Sequence, residues 1–243
     1  MQPQNIYIIL CRPFSADNIG AAARAMMNMG FSNLRLVSPR RNWRRRARVL
    51  ARSAAEILEH AETFPNLDDA LKDLNWSFGT TRRTGARRGK FIEFESFLKS
   101  AAVKSSALKV GLVFGTEAKG LSNAEIERCD QLVSIPSDKA YPSLNLAQAV
   151  MVILFALAHQ KIPANKFKNP KEVFVEKKEI QMALQHLSEA LKCIGFYGGK
   201  GGQLDSILWV TESIFKRAGM LHREAQMLKG VSARIIQRTS NRS

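Results

Sequence analysis

Short apolar runs rich in β-branched residues alternate with segments of helical periodicity along the first two thirds of the chain. Residues 6–11 (IYIILC) form such a run, and small and apolar residues at helical spacing follow over 18–29, before a glycine typical of a helix end. Further strands are predicted at residues 34–37, 76–80, 110–114 and 132–135, and helices around 47–60, 67–74 and 144–159. In a parallel sheet, helices cover both faces, so the strands are apolar throughout and do not alternate with polar residues. Strands of this kind, alternating with helices along the chain, predict an α/β domain built around a parallel sheet.

The last third of the chain follows a different pattern. Residues 161–171 (KIPANKFKNPK) contain two prolines and four lysines with little apolar content, which is typical of a linker. Beyond them, apolar residues at 180, 184, 187, 191 and 194 form a helical stripe, and two further helices fit 204–218 and 221–238. We therefore expect an α/β domain at 1–160, a linker at 161–171 and a small helical domain at 172–243 that could pair with a second copy.

Positive charge is concentrated in two short stretches. Lysine and arginine number 37 against 21 acidic residues, a net charge of +16 with a pI near 10.2, which suggests a polyanionic partner. Residues 40–52 hold seven arginines, and 82–90 hold four arginines and a lysine, with no acid in either stretch. The planar guanidinium suits phosphate, so nucleic acid is favoured over an acidic membrane surface or a solvated helix face. A basic protein without such a partner is the alternative.

The sequence lacks the residue patterns of several common functions. Its three cysteines are far apart and its four histidines stand alone, so neither a disulfide framework nor a metal site is predicted. The run GFYGGKGGQ at 195–203 lacks the spacing and the Ser or Thr of a phosphate-binding loop. No leader pattern is visible, and the most apolar run, 147–158, is shorter than the roughly 20 residues of a membrane span. We expect a cytoplasmic protein without a metal and without a membrane partner.

Three longer segments are the most informative. They are IILCRPFSADNIGAAARAMMNMGFSNLRLVSP at 8–39, LVFGTEAKGLSNAEIERCD at 112–130 and VSIPSDKAYPSLNLAQAV at 133–150. In order and spacing they resemble the three signature motifs of the SpoU branch of the SPOUT RNA methyltransferases, and FGTTRR at 78–83 belongs to the same resemblance. The helical tail is similar to that of the TrmJ-type tRNA ribose methyltransferases, so the resemblance spans nearly the whole chain.

The resemblance implies both a fold and a methyl donor. The fold would be the parallel-sheet SPOUT fold with a carboxyl-terminal trefoil knot, which general folding rules would not propose because knotted chains are rare. The donor, S-adenosylmethionine, would bind in the knot between apolar walls and backbone groups. At the matching positions its site would comprise Thr80, Thr81, Arg82, Gly115, Ile135, Pro142, Ser143 and Leu144.

The resemblance also implies which residues act on the RNA. The catalytic residues would be Asn18, Arg24, Ser143 and Asn145. Arg24 would activate a ribose 2′-hydroxyl, either as a base or, since free arginine is essentially never deprotonated, by binding the phosphate or the developing alkoxide. The other three also have structural interpretations, the asparagines as helix caps and the serine as a turn residue. Glu117, in the pattern F-G-x-E-x-x-G, is expected to have a structural or interface role.

The resemblance finally predicts the substrate. RNA contacts are expected from Arg83, Arg44, Arg45, Arg46 and Arg87. Two departures, Pro142 in place of a serine and Gly85 in place of an arginine, concern the choice of RNA more than the chemistry. The predicted function is S-adenosylmethionine-dependent 2′-O-methylation of a tRNA ribose by a homodimer, with anticodon-loop nucleotide 32 as the expected target. The alternatives are ribose methylation of ribosomal RNA or another tRNA position and, in another class, a catalytically silent knotted RNA-binding protein.

Overall fold

The structure is a computed structural model that describes residues 1–82, 91–138, 140–160, 174–199 and 202–240. The chain divides into two compact units, Met1–Lys168 and Asn169–Ser243. The strands found in the described part of the first unit are β1 (Ile6–Cys11), β2 (Asn33–Val37), β3 (Glu62–Phe64), β4 (Trp76–Thr80), β5 (Phe91–Ile92), β6 (Val110–Phe114) and β7 (Gln131–Val133). They pair in parallel in the order β3-β2-β1-β6-β4-β7-β5, which confirms the predicted α/β class with a parallel sheet.

The central strands are buried on both faces of the sheet. In β1, Ile8 and Leu10 belong to the larger apolar core, whereas Ile9 and Cys11 belong to a second core. Successive side chains of a strand point to opposite faces, so one continuous apolar run serves both cores. The helices of this unit are α1 (Ala16–Asn28), α2 (Trp43–Ala51), α3 (Ala55–Glu59), α4 (Leu67–Leu71), α5 (Phe94–Lys104), α6 (Asn123–Arg128) and α7 (Leu146–Ala158), as far as the structure describes it.

The prediction of one continuous helix around residues 47–60 is wrong, because this segment is divided into three shorter helical pieces. Helix α2 ends at Ala51, a short 3-10 helix spans Arg52–Ala54, and α3 follows. Arg52 has φ +48° and ψ −115°, a conformation that no α-helix contains and that side-chain-bearing residues rarely adopt. The chain therefore turns at Arg52, although the apolar spacing on both sides is helical.

The second unit is helical in its described residues. It contains α8 (Lys177–Cys193), α9 (Gln203–Ala218) and α10 (His222–Ser240), with a small core formed by Val175, Ala183, Met220 and Ala225. Several large apolar side chains of α9 and α10 remain exposed, namely Trp209, Val210, Ile214, Met227 and Val231. Among the helices that the structure describes, none combines the length and apolar character needed to cross a membrane. The predicted linker, 161–171, lies outside the described residues.

Candidate active site

A cleft of about 850 Å³, part of it open to solvent, lies where β4, β6 and β7 end. The carboxyl edge of a parallel sheet is where small-molecule sites usually form. The structure brings together in its lining every residue that the resemblance assigns to the methyl donor, namely Thr80, Thr81, Arg82, Gly115, Ile135, Pro142, Ser143 and Leu144. Phe114, Leu146 and Ala149 add apolar surface to the walls.

Hydrogen bonds at the end of β4 hold the floor of this cleft together. Thr80, the last residue of β4, donates its hydroxyl to the carbonyl oxygen of Val113 at 3.0 Å. The N–H of Thr81 donates to the carbonyl oxygen of Val133 at 3.0 Å. Because these bonds join β4 to both neighbouring strands, the loops that follow the three strands start side by side.

The loop after β6 closes on itself at one wall of the cleft. The N–H of Gly120 donates to the carbonyl oxygen of Thr116 at 2.8 Å, and the N–H of Thr116 donates to that of Gly120 at 3.2 Å. A Cβ atom at position 115 would overlap the backbone of Gly120 and Leu121. Gly115 is thus needed for a close approach of the chain to itself, in addition to any approach of a ligand.

Glu117 connects three elements beside the cleft. Its Oε1 accepts hydrogen bonds from Asn18 Nδ2 at 2.8 Å and from the N–H of Ser15 at 3.1 Å, and its Oε2 accepts one from the N–H of Phe14 at 2.8 Å. Asn145 Nδ2 in turn donates to Asn18 Oδ1 at 3.0 Å. Two of the predicted catalytic residues are therefore in direct contact, and Glu117 holds one of them, Asn18. We call Asn18, Glu117 and Asn145 the amide–carboxylate network.

Asn18 and Asn145 are both candidate helix caps from the sequence, and only Asn145 is one in the structure. Helix α1 begins two residues before Asn18 and is capped by Ser15, whose hydroxyl accepts from the N–H of Asp17 at 3.1 Å, so Asn18 is not the cap. Asn145 does cap α7, because its Oδ1 accepts from the N–H of Ala147 at 2.9 Å. Its amide nitrogen remains available for Asn18, so one side chain serves both the helix and the network.

Glu117 is an ionised hydrogen-bond acceptor in this network. Partial burial acts to raise the pKa of its carboxyl group, but the hydrogen bonds from Asn18 and from the backbone of Phe14 and Ser15 outweigh it and hold the pKa below its ordinary value. Sequence reasoning gave Glu117 only a structural or interface role. The signal that pointed to it was its fixed place in the F-G-x-E-x-x-G pattern.

Glu117→Gln is expected to lower kcat for RNA methylation about tenfold or more without unfolding the protein. The amide keeps the size of the side chain but replaces one acceptor oxygen by an NH2 group. This group then faces an N–H donor, and the lost hydrogen bond costs about 1–3 kcal/mol of free energy. Steady-state kinetics and circular dichroism measure the two effects. Glu95→Gln, at an exposed glutamate of α5, is the matched control and should be silent. Equal kcat values for the two variants would contradict the role of Glu117.

The predicted catalytic residues are not all at the cleft. Ser143 lines it, and Asn18 and Asn145 lie next to it through Glu117. Arg24 is exposed on α1, is not among the lining residues, and has no side-chain hydrogen bond or ion pair to the part of the chain that the structure describes. Within the described residues, no group of three His, Cys, Asp or Glu side chains could hold a metal ion.

The predicted RNA-binding arginines differ in whether their side chains already bond to other groups of the protein. Arg46 makes a two-pronged ion pair with Asp17, with both hydrogen bonds at 2.8 Å, and holds the pKa of that carboxyl group below its ordinary value. Arg44 donates to the carbonyl oxygen of Leu58 at 2.6 Å. Arg45 is exposed without a side-chain partner among the described residues, and Arg83 and Arg87 lie outside them.

Known proteins are similar to this chain in both sequence and fold. Residues 5–155 match the SpoU rRNA Methylase family. The tRNA (cytidine/uridine-2′-O-)-methyltransferase TrmJ of Klebsiella pneumoniae is 32% identical over 247 residues, covering 98% of this chain and 99% of that protein. The tRNA (cytidine-2′-O-)-methyltransferase TrmJ of Methanocaldococcus jannaschii is 39% identical over 180 residues, covering 72% and 77%. The crystal structure of TrmJ from Z. mobilis ZM4 superposes with a TM-score of 0.77 at 27% identity, covering 94% and 98%.

The chain belongs to the SpoU rRNA methylase family. The family match and the TrmJ relatives make it an RNA methyltransferase. Within that class it is a TrmJ-like RNA ribose 2′-O-methyltransferase, related to TrmJ proteins along nearly its whole length.

Proposed function

We propose that the chain transfers a methyl group from S-adenosylmethionine to the 2′-hydroxyl of a tRNA ribose, with anticodon-loop nucleotide 32 as the expected target. The observation that carries the proposal is the contact between the donor cleft and the amide–carboxylate network, which share Glu117. TrmJ relatives that act on tRNA match the chain end to end, which supports tRNA as the substrate. Ribosomal RNA is the second candidate, because the matching family is described by it.

The cleft suits the proposed donor. An adenine and a methionine chain need apolar walls with a few polar groups, and Phe114, Ile135 and Leu144 line the cleft together with Thr80 and Thr81. A bound donor supplies an electrophilic methyl group on a sulfonium. We include in the proposal the trefoil knot of the SPOUT fold, formed around this cleft.

The chain's own residues act on the ribose hydroxyl. The Asn18–Asn145 pair, anchored by Glu117 through Asn18, orients the ribose at the mouth of the cleft, with Ser143 beside it. Arg24 remains protonated and stabilises the negative charge that develops on the 2′-oxygen, while the proton leaves to a phosphate or to water. The arginine thus acts by charge and not as a base.

A homodimer is part of the proposal. Arg24 is absent from the lining of the cleft in its own chain, so the arginine that acts there would come from a second copy. Helices α1 and α7 pack together and expose Met27, Val152 and Phe155, an apolar surface suited to such pairing. We assign residues 172–243, beyond the proposed linker at 161–171, to contacts with tRNA or with the second subunit.

Arg45→Ala is expected to weaken tRNA binding and to lower the slope of log Kd against log salt by about 1, because one phosphate contact is lost. The triple variant Arg44→Ala, Arg45→Ala, Arg46→Ala should lower it further. Filter binding at several salt concentrations measures the slope. Arg128→Ala, at a half-exposed arginine of α6, is the control. A slope unchanged in the triple variant would place this segment outside the RNA footprint.

Methylation in vitro tests the proposed function. Purified protein with methyl-labelled S-adenosylmethionine should label tRNA transcripts, and a 2′-deoxy substitution at the mapped nucleotide should remove the label. Label only in ribosomal RNA fragments would support the second candidate. Label on a base, or label that survives the 2′-deoxy substitution, would contradict ribose methylation.

A further inference from the structure

Phe14 is a large apolar side chain that the fold leaves in solvent beside the candidate active site. It is 62% exposed, in the turn between β1 and α1. A single exposed apolar residue needs no explanation by itself. Phe14 differs because its N–H donates to Glu117 Oε2 at 2.8 Å, while the N–H of Ser15 donates to Oε1. The carboxylate that holds Asn18 therefore also fixes the turn that carries this ring.

A positive charge lies against the ring. The guanidinium of Arg40, from the connection between β2 and α2, lies 3.5 Å from the ring centroid of Phe14. This cation–π contact covers part of the ring and leaves the rest in solvent, as the high exposure requires. The pair offers a flat surface for a base next to a charge for a phosphate.

We propose that Phe14, backed by Arg40, is a stacking platform for a nucleobase of the substrate RNA adjacent to the ribose that is methylated. This inference rests on the proposed function and names the part of the RNA that the site grips. Bases splayed from single-stranded RNA are held on aromatic rings and on arginine planes. Because Glu117 links this platform to Asn18 and lines the cleft, a base stacked there is held in register with the donor.

The competing explanation is that a second copy of the chain covers the ring. Stacking of a base requires the flat face of an aromatic ring, whereas packing in a protein interface requires only an apolar side chain of similar volume. Phe14→Leu keeps an apolar side chain but removes the aromatic ring, and Phe14→Trp keeps an aromatic ring. The three proteins, wild type and two variants, therefore separate the explanations.

The first measurement is kinetic, on a tRNA transcript that the wild-type protein methylates. Phe14→Leu should raise the KM for RNA about tenfold, the effect of losing one base–aromatic stack, and Phe14→Trp should restore it. The Kd for S-adenosylmethionine and the sedimentation coefficient should stay at wild-type values. A wild-type KM in Phe14→Leu, or a change in its oligomeric state, would overturn the proposal.

The second measurement identifies the base. Transcripts with a single abasic nucleotide at each position within three of the mapped methyl group are assayed with wild type and with Phe14→Leu. At one position the missing base should cost the wild type about tenfold and cost Phe14→Leu nothing further. Additive losses at every position would refute stacking. A wild-type chain that methylates no tRNA would overturn the proposed function itself, and this inference with it.

Discussion

Arg24→Ala is expected to lower kcat for RNA methylation about a hundredfold or more. The 2′-oxygen gains negative charge as its proton leaves, and removing one group that stabilises such charge typically costs a factor of about 10²–10³. The side chain is exposed and does not line the cleft, so folding and donor binding should be unchanged. Single-turnover kinetics and calorimetric titration with S-adenosylmethionine measure the two quantities separately.

Two further variants make the result specific to Arg24. Arg24→Lys keeps the charge but not the planar fork, so it should recover only part of the rate. Arg128→Ala removes a half-exposed arginine that pairs with Asp68 on α4 and should keep the wild-type rate. If Arg24→Ala retained more than a tenth of the wild-type kcat, the assigned role would be wrong.

Gly115→Ala is expected to destabilise the protein by about 1–3 kcal/mol and to weaken donor binding. The added Cβ would overlap backbone atoms of Gly120 and Leu121, which no change of rotamer can relieve. The loop that closes through Thr116 and Gly120 must then move, and it forms one wall of the cleft. Thermal unfolding and titration with S-adenosylmethionine measure the two effects.

Gly230→Ala is the matched control for this change. A Cβ at Gly230, in α10, meets no atom within 4 Å apart from its chain neighbours and the adjacent backbone of its own helix, so alanine should leave the stability unchanged or raise it by up to about 1 kcal/mol. If Gly115→Ala unfolded at the wild-type temperature and bound the donor with wild-type affinity, the close approach at position 115 would not matter.

The central strands are predictable from the sequence because burial on both faces demands a continuous apolar run. Strands β1 and β6 coincide with the apolar runs at 6–11 and 110–114, and β4 coincides with the strand predicted at 76–80. The edge strands β3 and β5 span only Glu62–Phe64 and Phe91–Ile92, and β3 carries exposed polar residues. Such strands form because a neighbouring strand is present, and no local pattern reveals that.

In the candidate site, too, one part is predictable from the sequence and another part is not. Motif order indicates the residues, but their contacts join distant positions: Asn145 bonds Asn18 across 127 positions and Glu117 bonds Asn18 across 99. The arginine run at 40–52 contains no acid, so the sequence predicts a polyanionic partner for it and indicates no ion pair within the chain. Asp17, 29 positions from Arg46, nevertheless pairs with it, because the fold places α1 against α2.

Mapping of ribose methyl groups by mass spectrometry, in RNA from cells with and without this chain, tests the central claim most directly. One 2′-O-methyl group should disappear from tRNA in cells that lack the chain, with nucleotide 32 as the expected position. Wild-type protein should restore it, and Arg24→Ala should not. An unchanged set of tRNA ribose methyl groups would contradict the account.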